Sequence, residues 1–164
     1  MKTKLILFVT ILSCGLLQSQ EINCASTLDE FSKLVENKKF DDAETKMKQL
    51  LAKCPTSNEN LYLLGEKVIQ NKIDLSSNDD KEKAAKEMIS LYDKHDQNFP
   101  NNKSNNAINK AMLYYDYNVA SEEETFKVFD KAFTKDKFQF VNPLALNTYF
   151  RLFNENYKST TDGS

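Results

Sequence analysis

The residues of this chain best suited to chemistry are its three cysteines, Cys14, Cys24 and Cys54, and its single histidine, His95. A metal or redox site would need a Cys-x-x-Cys spacing or several histidines, and neither occurs. His95 stands between Lys94 and Asp96, which reads as the polar side of a helix and predicts an exposed imidazole. The acidic pairs Asp41-Asp42 and Asp79-Asp80 resemble acid–base partners. Both precede apolar helical stripes, where carboxylates complement the positive end of the helix dipole, so they read as helix starts. No nucleophile–base pair, glycine-rich phosphate loop or paired-histidine helix is present in the sequence. The expectation is a protein with no catalytic residue, no bound metal and no cofactor.

The cysteines say more about compartment. Lys2 and Lys4 precede an apolar run from Leu5 to Leu12, the pattern of a secretory signal occupying residues 1–19, with cleavage after Ser19. The run is too short to span a membrane, so no transmembrane helix is expected in the mature chain. Ile11-Leu12-Ser13-Cys14 offers the alternative of a lipid anchor on Cys14, although Gly15-Leu16-Leu17 continues the apolar run where a lipoprotein would turn polar. After cleavage Cys24 and Cys54 remain, an even number in an oxidising compartment. One lies just before a first helix and the other just after a second. An antiparallel pair brings those ends together, which predicts a Cys24–Cys54 disulfide over the alternative of two free thiols. The localisation expected is periplasmic or secreted.

The formal charge is −2, and loss of the leader's two lysines makes it −4. Lysines are interleaved with acids throughout, so no basic face for nucleic acid or anionic lipid is expected. Three glycines and three prolines in 164 residues favour helices over a turn-rich β fold.

Apolar periodicity places about seven helices in residues 20–158, with 159–164 as a flexible tail. The first carries Leu28, Phe31, Leu34 and Val35 behind a Thr27–Glu30 capping box. The second carries Ala43, Met47, Leu50 and Leu51 and ends at Pro55. The third runs from about Glu59 to Ile73. A polar connection at 76–80 leads to a fourth with Ala84, Ala85, Met88 and Tyr92, which stops at Phe99-Pro100. The fifth spans about Asn106 to Tyr117. The sixth opens on the capping box Ser121–Glu124 and aligns Phe126, Phe129 and Phe133. Asn142-Pro143 starts the seventh, which carries Leu146, Tyr149, Phe150 and Phe153. Tyr114, Tyr115 and Tyr117 cannot all face inward, so at least one is expected at the surface.

Short polar turns make antiparallel neighbours the default, and the paired helices recur at repeat-like spacing. Phe40, Ala43, Met47, Leu50-Leu51 and Pro55 resemble the second half of a tetratricopeptide repeat, and Leu61, Leu64-Gly65 and Val68 its first-helix signature. Ala107, Ala111 and Tyr114 offer a third, partial match. No unit holds the full pattern, and the second exceeds the usual repeat length. More loosely, the signal, N-terminal cysteine, hairpins and Glu-Glu-Glu-capped helix resemble exported repeat proteins of Bacteroidota.

The fold this resemblance implies is an all-α solenoid of antiparallel helix hairpins whose first helices line a concave groove. Carried onto this chain, the groove residues would be Tyr62, Glu66, Ile69, Gln70, Ile108, Met112, Tyr115 and Asp116. The function expected is an exported scaffold that binds a peptide or partner protein there. The alternatives are a helical carrier with an apolar ligand near Phe129 and Phe150, a structural cap on an assembly, or the N-terminal segment of a longer array. Helix seven lacks a following partner, so it is also a candidate for self-association.

Overall fold

The computed structural model describes residues 22–161, which form seven α-helices and, among the described residues, no strand. They are α1 (Cys24–Glu36), α2 (Phe40–Lys53), α3 (Asn60–Leu75), α4 (Asn78–Asn98), α5 (Asn106–Asp116), α6 (Glu122–Lys135) and α7 (Pro143–Thr161), with a single 3₁₀ turn at Lys137–Gln139. The expected signal, its cleavage point and Cys14 lie outside the described residues. Each helix packs on the next, and α1 also reaches α3.

Local chemistry sets the helix ends, with one correction. α1 does not start on the Thr27–Glu30 box. Asn23 caps it, its Oδ1 accepting from the Ser26 amide at 3.0 Å, so Cys24 enters the first turn and Thr27 is buried inside the helix. An earlier cap residue satisfies the first free amides and makes the later one redundant. The Ser121–Glu124 box is present in both directions, each bond 3.2 Å long. Asn142 accepts from the Leu144 amide at 2.9 Å, with Pro143 in the first turn of α7. Two stretches read as irregular are helical, since α4 begins at Asn78 and α7 continues to Thr161.

The turns after α1 and α5 close in the same way. Lys38 and Asn118 hold φ at 56° and 51°, and the residues after them, Lys39 and Val119, donate back to Leu34 and Tyr114 at 2.9 and 3.1 Å. This is the left-handed terminator that caps the last carbonyls of a helix. It turns the chain within a few residues and lets α2 fold back on α1. The Cys24–Cys54 disulfide then ties the start of α1 to the end of α2, with Cα atoms 5.9 Å apart.

Two cores result. Phe31, Leu50, Leu61, Tyr62 and Ile73 centre the first, built from α1 to α4. Phe129, Tyr149 and Leu152 centre the second, built from α5 to α7. Leu113 of α5 and Tyr117 at its C-terminal cap pack on the first core while Ile108 and Ala111 belong to the second, so α5 joins them. At the tightest crossing in the first core, a Cβ on Gly65 would lie 3.1 Å from both Leu91 Cδ2 and Met47 Sδ. Glycine here lets α3 approach α2 and α4 closely. Across the same three helices Lys72 bonds Glu44 at 3.2 Å and Glu87 at 2.6 Å.

Candidate functional site

The residues expected to line one groove separate into three environments. Tyr62 is fully buried, and Ile69 and Ile108 are nearly so. These three are core residues and not groove residues. For Tyr62 and Ile69 the reason is that α3 is covered on more than one side, by α1, α2 and α4, while Ile108, on α5, is buried in the second core. The Tyr62 hydroxyl donates to the Pro55 carbonyl at 3.0 Å and accepts from Asn98 Nδ2 at 2.9 Å. Met112 and Tyr115 are half-buried on the other half of the molecule. Met112 packs on the second core, and the Arg151 guanidinium lies 4.6 Å over the Tyr115 ring and donates to its hydroxyl. Asp116 is exposed, and partial desolvation raises its carboxyl above the usual range. Tyr114, Tyr115 and Tyr117 are each half-buried, which is how α5 accommodates all three.

Glu66 and Gln70 do share a groove. It is an open depression of about 540 Å³ beside α3, floored by Met88 and Tyr92 of α4 and walled by Lys38 and Phe40 at the α1–α2 turn. Lys67, Asn71 and Asp74 complete the α3 side. Lys38, Lys67, Gln70 and Asp74 are exposed, and Gln70 Nε2 donates to Asp74 Oδ1 at 2.8 Å. Glu66 is half-buried, and burial pushes its carboxyl up. Burial also raises the Tyr92 phenol, and the Glu66 carboxylate, which lines the same groove, adds to that shift. The arrangement offers the half-buried Phe40 ring, one half-buried acid and exposed polar walls, over a base closed by the buried Met88 and Tyr92.

His95 is a second correction. It is not exposed but wholly buried, stacked on Tyr62 with ring centroids 4.8 Å apart and planes 6° from parallel. Its Nε2 is 3.0 Å from Glu59 Oε1, and its Nδ1 is 3.3 Å from Asn106 Nδ2, which also donates to Asp96 Oδ1 at 2.7 Å. With Asn106 donating to Nδ1, the imidazole proton belongs on Nε2, facing the carboxylate. Asn106 Oδ1 is buried without a partner. The cluster joins the start of α3, the end of α4 and the start of α5. Its sequence signal was available, because the buried stripe Ala84, Met88, Leu91, Tyr92 reaches His95 and then Phe99 when continued by a turn.

Phe129 and Phe150, the residues named for the alternative of an apolar-ligand carrier, differ in environment. Phe129 is fully buried against Phe140 and Tyr149, at centroid distances of 6.1 Å, while Phe150 is half-exposed. Among the described residues no group of three or more His, Cys, Asp or Glu could hold a metal ion, and no helix is long and apolar enough to cross a membrane. No protein-family model, curated protein or solved structure matches the chain.

Proposed function

We propose that the protein is an exported interaction module of tetratricopeptide-like hairpins, with no chemistry of its own, that holds a segment of a peptide or partner protein in the groove beside α3. The observation that carries this reading is the groove itself. It is open, lies where the first helix of the second hairpin faces outward, and sets the half-buried Phe40 and Glu66 beside the exposed Lys38, Lys67, Gln70 and Asp74. An aromatic contact with a few polar anchors is a common composition of a recognition surface. The disulfide supports the exported part of the proposal, because such bonds persist outside the reducing cytoplasm. The hairpin reading is supported by the shared terminators after α1 and α5, by Gly65 at the tight helix crossing, and by the reach of α1 to α3.

The test is capture from the native envelope with three baits: the wild-type chain, a Glu66→Arg/Gln70→Arg variant, and a Lys127→Glu control on α6. The partner recovered by wild type and control is lost with the groove variant, whose circular dichroism remains helical. Equal recovery by all three, or recovery of nothing, would overturn the groove as the site. The intact mass of the protein from its own host, lacking residues 1–19 and carrying no lipid, checks export as a soluble chain.

A further inference from the structure

His95 is the only histidine of the chain, and it is a buried titratable group that the groove does not use. It lies on α4 between the start of α3 and the start of α5. Glu59, which caps α3, faces its Nε2 at 3.0 Å, and Tyr62 of α3 stacks on the ring. Asn106, the first residue of α5 and itself buried, faces Nδ1 at 3.3 Å. A chain of acceptors fixes the ring proton. The carboxylate of Asp96 only accepts, so the Asn106 amide turns its Nδ2 toward it, at 2.7 Å. The same nitrogen then faces His95 Nδ1, which must accept, and the single ring proton sits on Nε2 toward Glu59.

We propose that His95 is a proton-sensitive clasp between the two halves of the molecule: a second ring proton keeps the imidazole on Glu59 and breaks its bond to Asn106, releasing the start of α5. An imidazolium donates from both nitrogens. On the α3 side that suits the site, because Nε2 already points at a carboxylate and a charge-assisted bond is stronger than a neutral one. On the α5 side it sets one N–H against another. Asn106 cannot answer by exchanging the two ends of its amide in place, since that would turn Oδ1 onto the Asp96 carboxylate. Its Oδ1 is buried without a partner as it stands, so the amide is already held at a cost. The bond that survives is to Asp96, whose exposed side chain leads Asn106 away from the ring.

The groups around the ring favour this course. α3 contributes Glu59 and the half-buried Glu66, which lies within electrostatic reach of a charge on the ring. The Tyr62 phenol is occupied by the Pro55 carbonyl and Asn98. α4 contributes Asp96 and the exposed Lys94 on either side of His95 in sequence. The one lysine of α5, Lys110, is taken by Asp93 at 2.6 Å, so α5 meets the ring with the neutral Asn106 alone. A proton on the ring is therefore attracted toward α3 and unanswered on α5. The part that lets go is short. Leu113 and Tyr117 keep the far end of α5 on the first core, which confines the change to the first turns of α5 and the 99–105 connection.

A single histidine makes the test direct, because its ring nitrogens give unambiguous NMR signals. Long-range proton–nitrogen spectra between about pH 8 and 5, the interval in which histidine ordinarily changes charge, read the ring while amide exchange reads the helices. The expected result is a neutral ring with its proton on Nε2 at the upper end and a doubly protonated ring at the lower end. In step with it, the protection factors of Asn109 to Ala111 fall at least about tenfold, the loss expected when a buried hydrogen bond gives way to an unpaired donor, while those of Met47 to Leu50 in α2 hold. Asn106→Leu abolishes the α5 response with the ring still titrating. Glu59→Gln keeps an acceptor for Nε2 and moves both changes together to lower pH, which preserves the test if Asn106→Leu fails to fold. A ring neutral throughout, a proton on Nδ1 at the upper end, a ring that titrates with α5 unchanged, or protection lost equally in α2 would each overturn the proposal.

Discussion

Reduction of the Cys24–Cys54 bond should remove a large part of the stability of the molecule. The cysteines are separated by 30 residues. In the chain-entropy treatment a loop of that size constrains the unfolded state by about 3.6 kcal/mol at 25 °C. A domain of roughly 140 residues has an unfolding entropy near 290 cal/mol/K, so the melting temperature should fall by about 12 °C. The bond also anchors a local structure. The Cys54 carbonyl accepts from both the amide and hydroxyl of Ser57, and Tyr62 donates to Pro55, so the turn after α2 is held to the same end of the hairpin. The assay is thermal unfolding followed by circular dichroism, oxidised and with reductant, alongside Cys24→Ala/Cys54→Ala. Alanine is preferred to serine because Cys54 is buried, and a hydroxyl there would need a partner. A shift below about 4 °C would refute the entropic reasoning. Two free thiols titrating in the unreduced protein would refute the bond itself.

Three further outcomes are expected. Lys38 pays a steric penalty at φ 56°, so Lys38→Gly should raise unfolding free energy by up to about 1 kcal/mol in urea titration, while Asn118→Gly at φ 51° gains little because asparagine tolerates that region. His95→Ala removes the ring stacked on Tyr62 and leaves a cavity in the first core, at a cost of about 3 kcal/mol; a loss under about 1 kcal/mol would show that the imidazole is not packed there. The Tyr149 phenol is pushed up to about 12 by burial and by its 2.8 Å hydrogen bond to Asp130. Its contribution is therefore complete below about pH 10 and lost as pH rises towards 12, on the order of 2 to 3 kcal/mol. Tyr62, Tyr92 and Tyr117 are raised as well, so the measurement is the difference between wild type and Tyr149→Phe across that window, which should narrow with rising pH.

What could be read from the sequence was local. The Ser121–Glu124 box, the Asn142-Pro143 start and the stripes of α2 and α6 depend on residues a few positions apart, and the structure has them where the spacing put them. The disulfide followed from topology, because two antiparallel helices have only one pair of ends that return to each other. The site was harder to read for the opposite reason. Glu59 and His95 are 36 residues apart, and Asn106 arrives on a third helix, so the stripe that reaches His95 does not show which groups meet its ring nitrogens. The flanking Lys94 and Asp96 pointed to the surface, and they were misleading because adjacent residues on a helix face about 100° apart. Tyr62 and Ile69 failed similarly. A stripe shows that a face is apolar but not how many faces a central helix buries, and α3 buries more than one.

The division into two cores separates the groove from the clasp at His95. The groove is made of α3, α4 and the turn before α2, all in the half stapled by the disulfide. What the clasp releases is the start of α5, which adds no residue to the lining of the groove and leads into the second core. If capture depended on the clasp, Asn106→Leu would lose the partner, and Gln70→Arg alone would alter the response of α5 to acid. With the groove walled by the stapled half neither should happen. At neutral pH Asn106→Leu should capture the partner as wild type does. Gln70→Arg should release the start of α5 over the same pH interval as wild type. A single substitution that abolished both in a well-folded protein would show that the halves act as one unit, and would require the partner to hold α5 as well as α3.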